Sequence, residues 1–128
     1  MWRKSEYWKK CCFSCKVTLG NNSDIGINAN IVGACHIGDD VMMGLYCTIY
    51  ENNHKFDRTD IPMREQGFTY YDPVEIGNDV WIGGHVTIMP GVKIGNHCII
   101  GVCSVVTKDI SDWAMDVGNP AIVKKYRK

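Results

Sequence analysis

Four histidines and seven cysteines are the residues of this chain best suited to reactive chemistry. Cys11, Cys12 and Cys15 contain one C-x-x-C, but a structural zinc site needs a second pair of Cys or His at matching spacing. None follows, so no metal is expected. An odd number of cysteines without an export signal reads as reduced thiols rather than a disulfide framework, and Cys103 reads as structural. His36, His85 and His97 read as surface or packing residues. His54 differs, because it sits in IYENNHKF, immediately before a regular pattern stops. An imidazole titrates close to neutral pH and can take a proton from an attacking hydroxyl. The 21 residues after it, 55–75, bring Phe56, Arg58, Arg64, Phe68, Tyr70 and Tyr71, whose rings and charges suit a polar, ring-shaped ligand. A segment this long without a repeat inside a compact domain is expected to have a role.

The elements that must position these residues are written in a period of six. From Leu19 the chain reads LGNNSD, IGINAN, IVGACH, IGDDVM, MGLYCT, IYENNH, then resumes at Ile76 as IGNDVW, IGGHVT, IMPGVK, IGNHCI, IGVCSV, VTKDIS. The first position is always a branched aliphatic residue or Met, eight of the twelve second positions are Gly, and the fifth is mostly small or β-branched. Six fits neither a 3.6-residue helix nor plain alternation, but it suits a short strand plus a corner. First and fifth positions are an even number apart, so they face the same way and are expected to form the core. Gly26, Gly38, Gly44, Asn78, Asp79 and Gly95 are expected at corners that need unusual backbone angles.

At 128 residues with 45% hydrophobic composition, the chain reads as one domain, 1–128. Lys+Arg and Asp+Glu are equal at 14 each, which excludes the strong positive field of a non-specific nucleic-acid binder. The opening MWRKSEYWKKCC has positive charge but no apolar segment behind it, and no run reaches membrane-spanning length. The protein is therefore expected to be cytoplasmic, with no membrane span.

The hexads resemble those of the hexapeptide-repeat acyltransferases over roughly residues 19 to 128. That resemblance implies an all-β fold, a left-handed parallel β-helix of about four coils, three hexads to a turn. It has one long inserted loop at 55–75, an N-terminal cap at 1–18 with Trp2, Tyr7, Trp8 and Phe13, and a C-terminal segment at 112–128. HKFDRTDIPMREQGF followed by VEIGNDVWIGGHVTIMPGVKIG is similar to the active-site segment of the sugar O-acetyltransferases. By that match His54 is the catalytic general base, with Asn52 or Asn53 orienting it or the acceptor; Phe56, Arg64 and Tyr70 of the loop are the further acceptor-binding candidates. His36 precedes His54 by one coil and is expected to stack on it.

The same resemblance puts acetyl-CoA, as co-substrate, against Trp81, Gly84, Val102, Thr107, Lys108, Pro120 and Lys125. Two positions depart from the family pattern: GVCS at 101–104 stands where GAGS is usual, and Ile122 where a Lys or Arg is common. A homotrimer with active sites between subunits is implied, and the acceptor would be a sugar or glycan hydroxyl. The alternatives are transfer to the amine of an amino sugar, or a non-catalytic trimeric β-helix module. A zinc-dependent carbonic anhydrase on this coil would need three convergent histidines, and the spacing of these four does not supply them.

Overall fold

The computed structural model describes residues 12, 13 and 16–128. In chain order the strands are β1 (Cys12–Phe13), β2 (Val17–Leu19), β3 (Asn30–Ile31), β4 (Cys35–Ile37), β5 (Met42–Met43), β6 (Thr48–Ile49), β7 (Asn52–His54), β8 (Phe68–Tyr70), β9 (Val74–Ile76), β10 (Trp81–Ile82), β11 (Thr87–Ile88), β12 (Lys93–Ile94), β13 (Ile99–Ile100), β14 (Val105–Val106), β15 (Ala114–Gly118) and β16 (Ala121–Tyr126). Most are two or three residues long, because a hexad leaves no more room between corners. No helix among the described residues is long and apolar enough to cross a membrane.

Strands consecutive in the repeat do not pair with each other. β1, β3, β6, β11 and β14 form one parallel sheet; β2, β4, β9 and β12 form a second; β5, β10, β13 and β15 form a third, with β16 added antiparallel at its edge. The chain visits the three sheets in rotation and rises one rung per turn, which makes it a parallel β-helix. Partners such as Cys12↔Asn30 are 18 residues apart. Across the interruption the interval becomes 39, as in Ile37↔Ile76, so 39 − 18 = 21 residues are inserted between two otherwise regular rungs.

The predicted core is the observed one. The first-position residues from Ile25 to Val106 are all at most 7% exposed, and so are the fifth-position Ser23, Ala29, Cys35, Val41, Cys47, Val80, Val86, Val92, Cys98 and Ser104. Each fully buried Val or Ile contributes about 1.5–3 kcal/mol, and the ladder repeats that gain on every side of the prism.

The corners differ from expectation. Of the six residues expected to need unusual angles, only Asp79 has positive φ. Apart from Trp113 at 69°, the left-handed non-glycine residues among those described are the fourth positions Asn22, Asn28, Asp40, Tyr46, Asp79, His85, His97 and Cys103, with φ of 53 to 63°. Each such non-glycine residue costs about 1–2 kcal/mol, and rung-to-rung hydrogen bonds such as His85 N to Leu45 O (2.7 Å) and Asp79 N to Asp39 O (2.8 Å) offset that cost. The second-position glycines are needed for space. A Cβ on Gly77 would lie 2.5 Å from Asn96 Oδ1. That oxygen belongs to a ladder along one edge: Asp39, Asn78, Asn96 and Asp112 each accept, through Oδ1, the backbone N–H of Asn21, Asp39, Asn78 and Asn96 one rung away, at 2.7–2.8 Å. The G-N and G-D pairs in the sequence are two halves of one stacking device.

Three expected boundaries move. β1 and β2 pair in parallel with β3 and β4, so the rungs reach back to Cys12 and the cap does not extend to residue 18. The lid expected of Trp2, Tyr7 and Trp8, the ring of Phe13 and the cluster Cys11, Cys12 and Cys15 lie outside the described residues and side chains. Val74, paired with Cys35 and 1% exposed, returns the chain to the coil two residues before Ile76. β15 pairs in parallel with β13, so Ala114–Gly118 adds a further rung within the expected C-terminal segment 112–128.

Candidate active site

After Tyr50 the chain leaves the coil and forms a hairpin, β7 against β8, with Asn52↔Tyr70, Asn53↔Thr69 and His54↔Phe68 as partners. Phe, Thr and Tyr favour strands, and side chains alternate along each of them. Asn52, His54, Phe68 and Tyr70 therefore share one face of the hairpin, and Asn53 points to the other, where its Nδ2 donates to Tyr71 Oη at 3.4 Å. Tyr71 in turn packs at Gly91, where a Cβ would come within 3.1 Å of the tyrosine ring. The arm is thereby pinned to the coil at its root.

Its tip is also tied. The Gln66 amide nitrogen donates to Arg58 O at 2.9 Å and Ile61 O at 3.1 Å, and its oxygen accepts from Arg58 N at 3.1 Å. Arg58 pairs with Asp60, which holds that carboxyl below its usual range. Lys55 N donates to Gly67 O at 2.9 Å. A segment closed this way is a shaped arm, not a loose loop.

A cavity of about 510 Å³ opens at the base of the arm, lined by Tyr50, Asn52, Asn53, His54 and Met89. His54 is exposed, and its ring lies 4.6 Å from that of Phe68, tilted by 35°. Phe56, Arg64 and Tyr70 do not line this cavity: Phe56 and Tyr70 are 69% and 74% exposed, and Arg64 lies in the 3-10 turn Met63–Glu65 farther out. Tyr50 and Met89 were not anticipated, although the sequence carries a signal for them. Both occupy the second hexad position, where most rungs have Gly. The exceptions Val32, Tyr50, Met89 and Thr107 follow the strands of the first sheet in register, so this edge alone carries side chains in place of the glycine column. Thr107, expected at the donor site, is one rung from Met89, whose N–H donates to Val106 O at 3.0 Å.

His36 does not stack on His54. It faces Thr18 and Glu75 across the second sheet, with Nδ1 3.9 Å from Glu75 Oε1. A spacing of 18 means stacking only while the chain stays on the coil, and by residue 54 it has left. His85 stacks on Tyr46 at 5.1 Å. His97 stacks on Trp113 at 4.1 Å and its Nδ1 is 2.8 Å from Asp79 Oδ2, a contact that keeps the Asp79 carboxyl below its usual range.

The residues assigned to the donor are all at the surface. Trp81, 54% exposed, belongs to an outward row Met42–Trp81–Ile99–Met115–Lys125 across the third sheet. Val102 is 67% exposed, Thr107, Lys108 and Lys125 are exposed, and Pro120 lies in the turn between β15 and β16. Gly84 contrasts with Gly44 one rung away. A Cβ at Gly44 would lie 2.5 Å from the Gly84 nitrogen, whereas at Gly84 it would meet only Leu45 backbone at 3.4 and 3.7 Å. Packing therefore leaves space above Gly84. Ile122 is exposed, and so is Cys103, whose N–H donates to Gly84 O at 3.0 Å; burial pushes the Cys35 thiol up to about 12.

The family model for the bacterial transferase hexapeptide (six repeats) matches residues 73–108. The chain belongs to the hexapeptide-repeat acyltransferase superfamily. It is 36% identical over 113 residues to the galactoside O-acetyltransferase of Escherichia coli K12, covering 87% of this chain and 54% of that protein. Among solved structures it is similar to a maltose O-acetyltransferase from Clostridium difficile 630, with TM-score 0.79 and 36% identity over 94% of this chain and 65% of that one. It is also similar to a hexapeptide-repeat acetyltransferase from Vibrio cholerae complexed with acetyl coenzyme A, with TM-score 0.84 and 28% identity over 92% and 65% of the two chains. The hexapeptide-repeat chain thus spans about half the length of the galactoside O-acetyltransferase.

Proposed function

We propose that this hexapeptide-repeat protein moves an acetyl group from acetyl-CoA to a hydroxyl of a sugar or glycan, with His54 as general base. The observation that carries this reading is the His54 ring at the mouth of the 510 Å³ cavity, on the edge where Thr107 stands one rung beyond Met89. An unprotonated ring nitrogen takes the acceptor's hydroxyl proton as its oxygen attacks the thioester carbonyl. The tetrahedral adduct then collapses, the C–S bond breaks, and the imidazolium returns the proton to the departing thiolate. Asn52 and Asn53, at the cavity wall, are the groups to hold acceptor hydroxyls, and Tyr50 supplies a ring face for a sugar.

The donor is expected along Trp81, Gly84, Val102, Thr107 and Lys108, with Pro120 and Lys125 toward its phosphates. The coil is expected to be left-handed, as in the sugar O-acetyltransferases it resembles, and to assemble as a homotrimer in which one subunit's His54 faces donor groups of another. The test follows thiol release from acetyl-CoA with a panel of sugars. General-base assistance is typically worth about 10²–10⁴ in rate, and His54→Ala is expected to lose that much with unchanged melting temperature. Retention of activity within a few-fold would remove His54 from the role.

A further inference from the structure

We propose that Phe68 is the positioning residue for His54: it fixes the imidazole plane at the cavity in place of the hydrogen bond that usually orients a catalytic histidine. This rests on the reading of His54 as the base. A histidine that moves protons needs its ring held, and a carboxylate or carbonyl on the second nitrogen is the common device. Among the described residues no group hydrogen-bonds to either His54 ring nitrogen, whereas His97, elsewhere in the molecule, has Asp79 at 2.8 Å. What His54 has is the Phe68 ring at 4.6 Å.

That contact is built into the arm. The hairpin register sets His54 directly across from Phe68, and a one-residue slip would move the phenyl ring to the opposite face. The register is held from both ends, by Lys55 N to Gly67 O and the Gln66 amide at the tip, and by Asn53 to Tyr71 at the root. Tyr70 backs the phenyl ring, with centroids 6.2 Å apart and planes at 53°. Packing on one ring face leaves both nitrogens free: one can accept the acceptor's proton, and neither tautomer is locked in advance. The 21-residue insertion thus has a function in the base itself as well as in the acceptor pocket.

The experiment compares the full chain with Phe68→Leu and Phe68→Tyr. The His54 ring signals are assigned by their absence in His54→Ala, and each variant is assayed with acetyl-CoA and an acceptor sugar. Phe68→Leu is expected to move the His54 ring protons toward their unstacked chemical shifts. A misplaced base loses about 10–100-fold in kcat, and both KM values should stay within about threefold, because ground-state binding is untouched. Phe68→Tyr, which keeps the ring, is expected to restore the shifts and most of kcat. Unmoved His54 signals in Phe68→Leu would overturn the proposal whatever the activity. So would a loss confined to acceptor KM, or an equal loss of kcat in Phe68→Tyr. Full activity in His54→Ala would instead defeat the assignment of the base, while the shifts would still report whether Phe68 holds the ring.

Discussion

The coil and the arm solve opposite problems. In the coil, residue identity follows from what stacks above and below: Gly77 is glycine because the Asn96 side chain lies over it, and Asn96 is asparagine because the Asn78 N–H needs an acceptor. From residue 50 to 73 no side chain is buried. The arm keeps its shape through one antiparallel ladder and the amide of Gln66, and two such strands in isolation are marginal in water. Rungs that repeat can share a core, whereas a single insertion must be tied internally and anchored at its root. The comparison teaches that rigidity here comes from burial on the prism and from polar closure on the arm, and the candidate base sits where the second takes over from the first.

The sharpest way to break that contrast is a pair of glycines on one edge. Gly44→Ala forces a Cβ against the Gly84 nitrogen. Overpacking of this kind costs about 2–3 kcal/mol, which should appear as a fall in Tm on the order of 10 °C in a chain of this size. Gly84→Ala meets only ordinary contacts, so its Tm should be unchanged while the KM for acetyl-CoA rises. An equal fall in Tm for both would show that stacking, not ligand approach, explains the second glycine.

A pH experiment sharpens the coil side. Asp116 is 5% exposed on β15, its Oδ1 has no hydrogen-bond partner among the described residues, and burial holds its carboxyl above the usual range. Below the ordinary carboxylate range the native and unfolded states both carry the proton, and the contribution of this group to stability is fully present. As pH rises, the unfolded chain ionises first while the native state keeps its proton, so stability declines until Asp116 passes its own raised pKa. Asp116→Asn should flatten that decline in urea midpoints measured across the acid-to-neutral range. An unaltered slope would mean that Asp116 ionises normally.

The smallest effect belongs to the arm. Gln66→Ala removes three hydrogen bonds, two exposed and one part-buried, each worth about 0.5–1.5 kcal/mol at most. No core residue moves, so Tm should hold while amide exchange at Arg58 accelerates. A clear drop in global Tm would show that the arm is part of the cooperative core after all.

The ladder was legible because it is periodic. Ile25, Ile82 and Val106, and with them Ala29, Val86 and Ser104, could be placed inside the prism from spacing alone, since every rung meets the same neighbours. The cavity was only partly legible. Asn52, Asn53 and His54 were found through resemblance, whereas Tyr50 and Met89 became visible only once three sheets showed which second positions share an edge. The left-handed fourth positions were missed because Tyr46, His85 and Cys103 are not residues that advertise such angles; the hydrogen bonds to the next rung impose them.

By itself, then, the order of residues determined the rungs, the inward faces and the place where the pattern stops, because those depend on neighbours at a constant interval. Tertiary structure decided that His36 faces Glu75, that His54 faces Phe68, and that Met89 lies one rung from Tyr50. Each of these pairings depends on where the chain leaves and rejoins the coil. A 21-residue detour changes every partner at its mouth while leaving the repeat on both sides intact.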